Sequence, residues 1–128
     1  MRFENFSLAY EGGIELQAFG HNWDLHNCVD FMGIRYEPTS GDVVLEWVPL
    51  PEYASNPWGD LENKATRCRL RFRDVSAMRL GPRKDGYPDT DASCVESIEN
   101  VGSSLVFTMQ DERVIEINAS KAVLERDL

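Results

Sequence analysis

Arg67-Cys68-Arg69-Leu70-Arg71-Phe72-Arg73 is the stretch that decides the fold. Cys68, Leu70 and Phe72 alternate strictly with four arginines, and successive side chains of an extended chain point to opposite faces. The spacing therefore predicts a half-buried strand with one apolar and one basic face. Val75 to Leu80 either continues it or starts another strand.

Working outward, helical periodicity is weak, while period-two alternation between turn signals recurs. Phe6 to Tyr10 and Ile14 to Phe19 flank Glu11-Gly12-Gly13, whose glycines suit a tight hairpin. Cys28 to Tyr36 and Val43 to Val48 flank Pro38-Thr39-Ser40-Gly41-Asp42 and predict a second hairpin. Pro49 to Lys64, with Pro51, Asn56, Pro57, Gly59 and Asp60, reads as a long loop. Gly81 to Asp89 is a second irregular stretch. Cys94 to Val101 is ambiguous between a short strand and a helical turn. Leu105 to Met109 and Val114 to Asn118 read as strands on either side of Gln110-Asp111-Glu112-Arg113. From Ala119 to Leu128 a helix capped by Ser120 competes with a last strand, and we prefer the strand, entered through a compact corner at Ser120-Lys121. The whole is a β-meander of about eight to ten strands, a single mainly β domain over residues 1–128, built as an antiparallel sandwich or a curved barrel-like sheet.

A chain of 128 residues is long enough to bury one core without disulfides. Its longest apolar runs, such as Trp47 to Leu50, fall far short of the roughly 20 residues that cross a bilayer. The N-terminus lacks the basic start and apolar centre of a secretory signal, and Cys28, Cys68 and Cys94 are odd in number and widely spaced, which predicts a cytoplasmic protein with reduced thiols. A net charge of −9 argues against nucleic acid and anionic membranes as partners, both of which require a positive field. Yet Lys64 to Lys84 carries eight of the thirteen basic residues against the single acid Asp74. That segment sums to +7 and the remainder to −16.

Three clusters carry candidate chemistry. In an extended His21 to Asp30, the residues Asp24, His26, Cys28 and Asp30 share one face, and the set His21, Asp24, His26 and Cys28 offers nitrogen, sulfur and oxygen ligands for a divalent ion or polar groups for a small-ligand or enzymatic pocket. The competing reading is a polar turn with Cys28 as a small buried residue. Asp85, Asp89 and Asp91 place three carboxylates in one loop, but they depart from the EF-hand order. The third cluster is the arginine face: Arg67, Arg69, Arg71 and Arg73 stand about 7 Å apart along the strand and need negative groups opposite. Acids such as Glu46 or Glu116 on a neighbouring strand would form a cross-strand ladder; otherwise the face is free to dock an acidic or phosphorylated partner. Tyr53 and Trp58 in the long loop either pin it to the body or serve as aromatic anchors for a partner.

No catalytic fingerprint such as G-x-S-x-G, a P-loop or H-E-x-x-H occurs, and no motif calls for a cofactor. The leading expectation is a small non-enzymatic protein-binding domain, of the immunity or inhibitor type by analogy of size and charge, with Arg67, Arg69, Arg71, Arg73, Tyr53 and Trp58 as partner-binding residues. Its partner is another protein or a second copy of itself. The alternative is a metal-binding or small-ligand β domain, with or without enzymatic activity, centred on His21 to Asp30. For stability, Phe72→Ala is expected to be severe and Arg71→Ala nearly neutral.

Overall fold

A computed structural model describes residues 1–82, 85–86 and 94–128. Arg83, Lys84 and the carboxylates of Asp89 and Asp91 lie outside the described residues. The described residues form ten strands: β1 (Arg2–Glu4), β2 (Ser7–Leu8), β3 (Glu15–Ala18), β4 (His21–Asp24), β5 (Val29–Glu37), β6 (Asp42–Pro49), β7 (Arg67–Leu80), β8 (Val95–Val101), β9 (Ser104–Met109) and β10 (Val114–Asp127). A 3-10 turn at Pro51–Tyr53 is the one helical segment among the described residues, and no helix there is long and apolar enough to cross a membrane.

The main sheet runs in the order β5-β6-β7-β10-β9-β8 and curls into a half-barrel, with β1 added in parallel to β10. Both expected hairpins form: β2 pairs with β3, and β5 pairs with β6 through a turn in which Gly41 (φ +78°) donates to the Glu37 carbonyl at 2.7 Å. The simple meander is corrected at the centre. β7 takes β10 as its neighbour, so two local units, β5-β6-β7 and β8-β9, are joined by the last strand. The ambiguous Cys94 to Val101 is a strand over Val95–Val101, paired antiparallel with β9, and a register shift between Val95 and Ser97 lets both Val95 and Ile98 bury although they are three residues apart.

The expected corner at Ser120-Lys121 is also corrected. β10 is continuous to Asp127, and the irregularity is a register slip at Asn118/Ala119 that places Ser76 as the extra residue on β7. Asp74 beside it has φ +53°, a left-handed conformation that aspartate tolerates better than most residues.

The core lies on the concave face. Val43, Leu45 and Trp47 of β6, Cys68, Leu70 and Phe72 of β7, Leu105, Phe107 and Met109 of β9, and Ile115, Ile117, Ala122 and Leu124 of β10 are all buried. The small sheet β2-β3-β4 adds Leu16, Ala18 and Trp23 to the same cluster. It is fastened to β8 by main-chain bonds between Gly12 or Gly13 and Ile98 at 2.9 Å, and to β10 by the Arg126 guanidinium 4.0 Å from the Phe19 ring centroid.

Candidate functional site

The outer face of the main sheet carries the arginines of β7, and register decides what each one meets. Residues opposite each other on paired strands share a face. Arg69 sits between Glu46 of β6 and Glu125 of β10, and Arg67 lies opposite Asp127. Arg69 holds Asp127 with two bonds, at 2.6 and 3.0 Å, and lies 3.5 Å from Glu46 and 3.7 Å from Glu125. Arg67 reaches Glu46 at 3.2 Å. Arg71 is flanked by Val44 and Val123 in its own row and takes its acids diagonally: Glu37, Asp42 at 3.1 Å and Glu125 at 3.2 Å. The two-point Arg69 to Asp127 contact is the geometry that planar guanidinium and carboxylate groups favour.

The hydrogen bond from Arg69 holds the Asp127 carboxyl below the usual carboxylate range, and the bond from Arg71 does the same to Glu37. The cross-strand ladder is therefore what faces Arg67, Arg69 and Arg71, built mostly from Glu37, Asp42, Glu46, Glu125 and Asp127. Glu116 pairs with Arg79 instead, at 3.5 Å.

The ladder changes the expectation for Arg71→Ala. Asp42 is 7% exposed and Val44, on the same face, 1% exposed, so the Arg71 stem covers apolar surface while its head satisfies three carboxylates. Arg71→Ala is expected to lower stability by about 1–3 kcal/mol, above the value of an ordinary surface ion pair. Arg71→Met, which keeps the stem, should recover the packing share. Urea denaturation of the two variants measures the split.

Arg73 breaks the pattern. Its opposite residue on β10 is Lys121, and the residue opposite Lys121 on β1 is Arg2. Three cations thus stand side by side across three adjacent strands. Lys121 pairs with Glu4, whose carboxyl is lowered by that bond, while Arg2 and Arg73 have no ion pair among the described residues. Together with Asp74 and Ser120 they line an open depression of about 420 Å³. The Ser120 hydroxyl donates to the Asp74 carboxylate at 2.8 Å.

His21 to Asp30 does not form a ligand set, because the extended conformation that would align it ends at Asp24. Asp24 turns inward and accepts from the His26 and Asn27 main-chain N–H groups at 2.8 and 2.9 Å and from the Asn27 side chain at 2.7 Å. His26 Nδ1 donates to the Val95 carbonyl at 2.7 Å, and His21 lies 3.6 Å from Asp60. Cys28 is buried, and that burial pushes its thiol up. Among the described residues no three His, Cys, Asp or Glu side chains converge as metal ligands.

What that segment does is fasten the long loop. Asn22 N–H donates to Asp60 at 2.9 Å, the buried Asn63 donates to the Asn22 carbonyl at 3.0 Å, and Asp24 N–H donates to the Trp58 carbonyl at 2.9 Å. Trp58 is correspondingly corrected from partner anchor to core residue: it is fully buried, with its ring 4.9 Å from that of Trp23. Tyr53 is 41% exposed.

Val75 to Leu80 continues β7, one of the two readings its sequence allows, but the sequence did not show that this half lies beyond the reach of β6. β6 pairs with β7 only over Cys68 to Phe72, so from Arg73 onward β7 has β10 as its one strand neighbour among the described residues. Met78 and Leu80 lie opposite the buried Ile117 and Ile115, yet they are 43% and 52% exposed. The apolar spacing of Met78 and Leu80 was the available signal; the end of the β6 pairing was not readable from it. No family of known proteins, no characterised protein and no solved structure matches this chain.

Proposed function

We propose that the chain is a protein-interaction domain that takes up an extended segment of another protein along the distal half of β7. The supporting observation is a strand paired on one side only among the described residues, with half-exposed apolar side chains on its core-facing side. Gly81 N–H donates to the Val114 carbonyl, so by antiparallel alternation the main-chain groups of Met78 and Leu80 point away from β10, toward the open edge. Long edges of this kind are templates for strand addition, and proteins that do not use them blunt them with lysine, proline or a covering element.

The occupant is a strand of a different protein with apolar residues at every second position. A second copy of β7 laid antiparallel so that Met78 meets Leu80 places Arg79 opposite Arg79, and like charges directly opposite are unfavourable. An immunity- or inhibitor-type role suits such a module, its acidic bulk drawing in a basic partner while the edge grips one strand.

The test is the double variant Met78→Lys/Leu80→Lys. Proteins captured by the native chain from its own cells are purified and titrated against both forms. The native chain should bind one of them at least about 100-fold more tightly than the variant, with the variant's melting temperature retained. Equal affinities would sink the proposal. A native dimer in light scattering that the variant disperses would assign the edge to self-association and overturn the reading.

A further inference from the structure

We propose that Arg2, Lys121 and Arg73 form a binding site for a compact phosphate-class dianion, a site independent of the β7 edge. Register brings the three cations together. Arg2 is opposite Lys121 and Lys121 is opposite Arg73, so three positive side chains occupy one row of the outer face. Neighbouring strands lie about 4.8 Å apart, and like charges at that separation repel unless an anion sits among them. Elsewhere on this face the chain solves the same problem with its own acids: Arg69 has Glu46 and Glu125 in its row and Arg67 has Asp127. In the Arg73 row the positions that hold acids elsewhere hold Lys121 and Arg2.

The nearby acids are already engaged. Glu4 engages Lys121, and Asp74 accepts from Ser120 without an ion pair to the cations. Arg2 and Arg73 share the field of Glu4 with Lys121 but make no direct ion pair among the described residues, and they line, with Lys121, Asp74 and Ser120, a depression of about 420 Å³. Each guanidinium presents a planar fork of donors suited to phosphate oxygens.

Size selects among anions. Glu4 and Asp74 border the row, and the whole chain carries −9, so an extended polyanion such as RNA meets net repulsion beyond the site. A single phosphate group is small enough to sit among Arg2, Lys121 and Arg73, with Asp74 and Glu4 at its margin. It is carried either by a small phosphomonoester or by a phosphorylated side chain of a protein.

The experiment is a titration of the native chain with inorganic phosphate against sodium chloride of equal ionic strength, followed by amide NMR shifts and by melting temperature. Saturable shifts confined to residues 2–4, 73–76 and 119–122, and a melting temperature raised by phosphate beyond chloride, are expected. Arg73→Gln and Arg2→Gln should each weaken binding by about tenfold, whereas Arg79→Gln, on the same strand but outside the row, should leave it unchanged. Phenyl phosphate and a short phosphoserine peptide then separate the sources: equal affinities assign recognition to the group alone, and tighter peptide binding assigns it to a phosphoprotein. Shifts matched by chloride, or undiminished affinity in both Arg73→Gln and Arg2→Gln, would overturn the site.

Discussion

Replacing Trp58 by alanine is expected to cost about 3–5 kcal/mol, the range for a large aromatic removed from a core. The residue belongs to a loop, where such a substitution is ordinarily mild, but here the ring is fully buried and packed on Trp23 at 4.9 Å. Its Nε1–H donates to the Ala65 carbonyl at 2.9 Å and its own carbonyl accepts from the Asp24 N–H, so this one residue joins the far end of the loop to β4, the ring holding Ala65 and the main chain holding Asp24. The neighbouring Gly59 (φ +73°) lets the main chain pass against Asp24, where an added Cβ would sit 3.2 Å from the Asp24 Cβ. Chemical denaturation gives the loss in stability. Faster proteolytic cleavage between residues 50 and 66 would show that the loop is released first; a loss below about 1 kcal/mol would mean that the loop is held by something other than this ring.

Phe72→Ala should be of similar severity, about 3–5 kcal/mol, for a different reason. Phe72 is fully buried midway along β7, opposite Val43 on one side and Ala122 on the other, with Phe107 across the core at 6.5 Å edge to face. The small Ala122 beside it cannot expand into the space left, so the cavity stays. With roughly 4 °C lost per kcal/mol for a chain of this size, the melting temperature should fall by more than about 10 °C. A fall smaller than that of Arg71→Ala would place the core on the opposite face of β7.

The strict alternation at Arg67 to Arg73 was sufficient to give β7, its faces and the mainly β class, because a two-residue period over seven positions has no competing reading. The preference for a strand after Ala119 was also sound, and for a physical reason: Ala122 and Leu124 are buried opposite Phe72 and Leu70. What could not be read was pairing across distance. Glu125 and Asp127 become the partners of Arg69 only once β10 lies beside β7, and that neighbour relation skips two strands. The dense polar run at His21 to Asp30 misled because ligand chemistry and loop-capping chemistry use the same residue types, and only the turn after Asp24 separates them.

The placement of β10 has a consequence for how the chain reaches its native state. β5-β6-β7 and β8-β9 can each assemble from neighbours in sequence, but the strands of one unit pair with those of the other only through β10, which brings Phe107 against Phe72 and Trp47. β10 also receives β1, so residues 2–4 meet residues 121–123 across nearly the whole chain. Contacts of such long separation make folding slow, and they make it late: two preformed halves wait for a keystone. Until it arrives, each half presents an open flank of strand, which is the interval in which this protein is most exposed to misassembly.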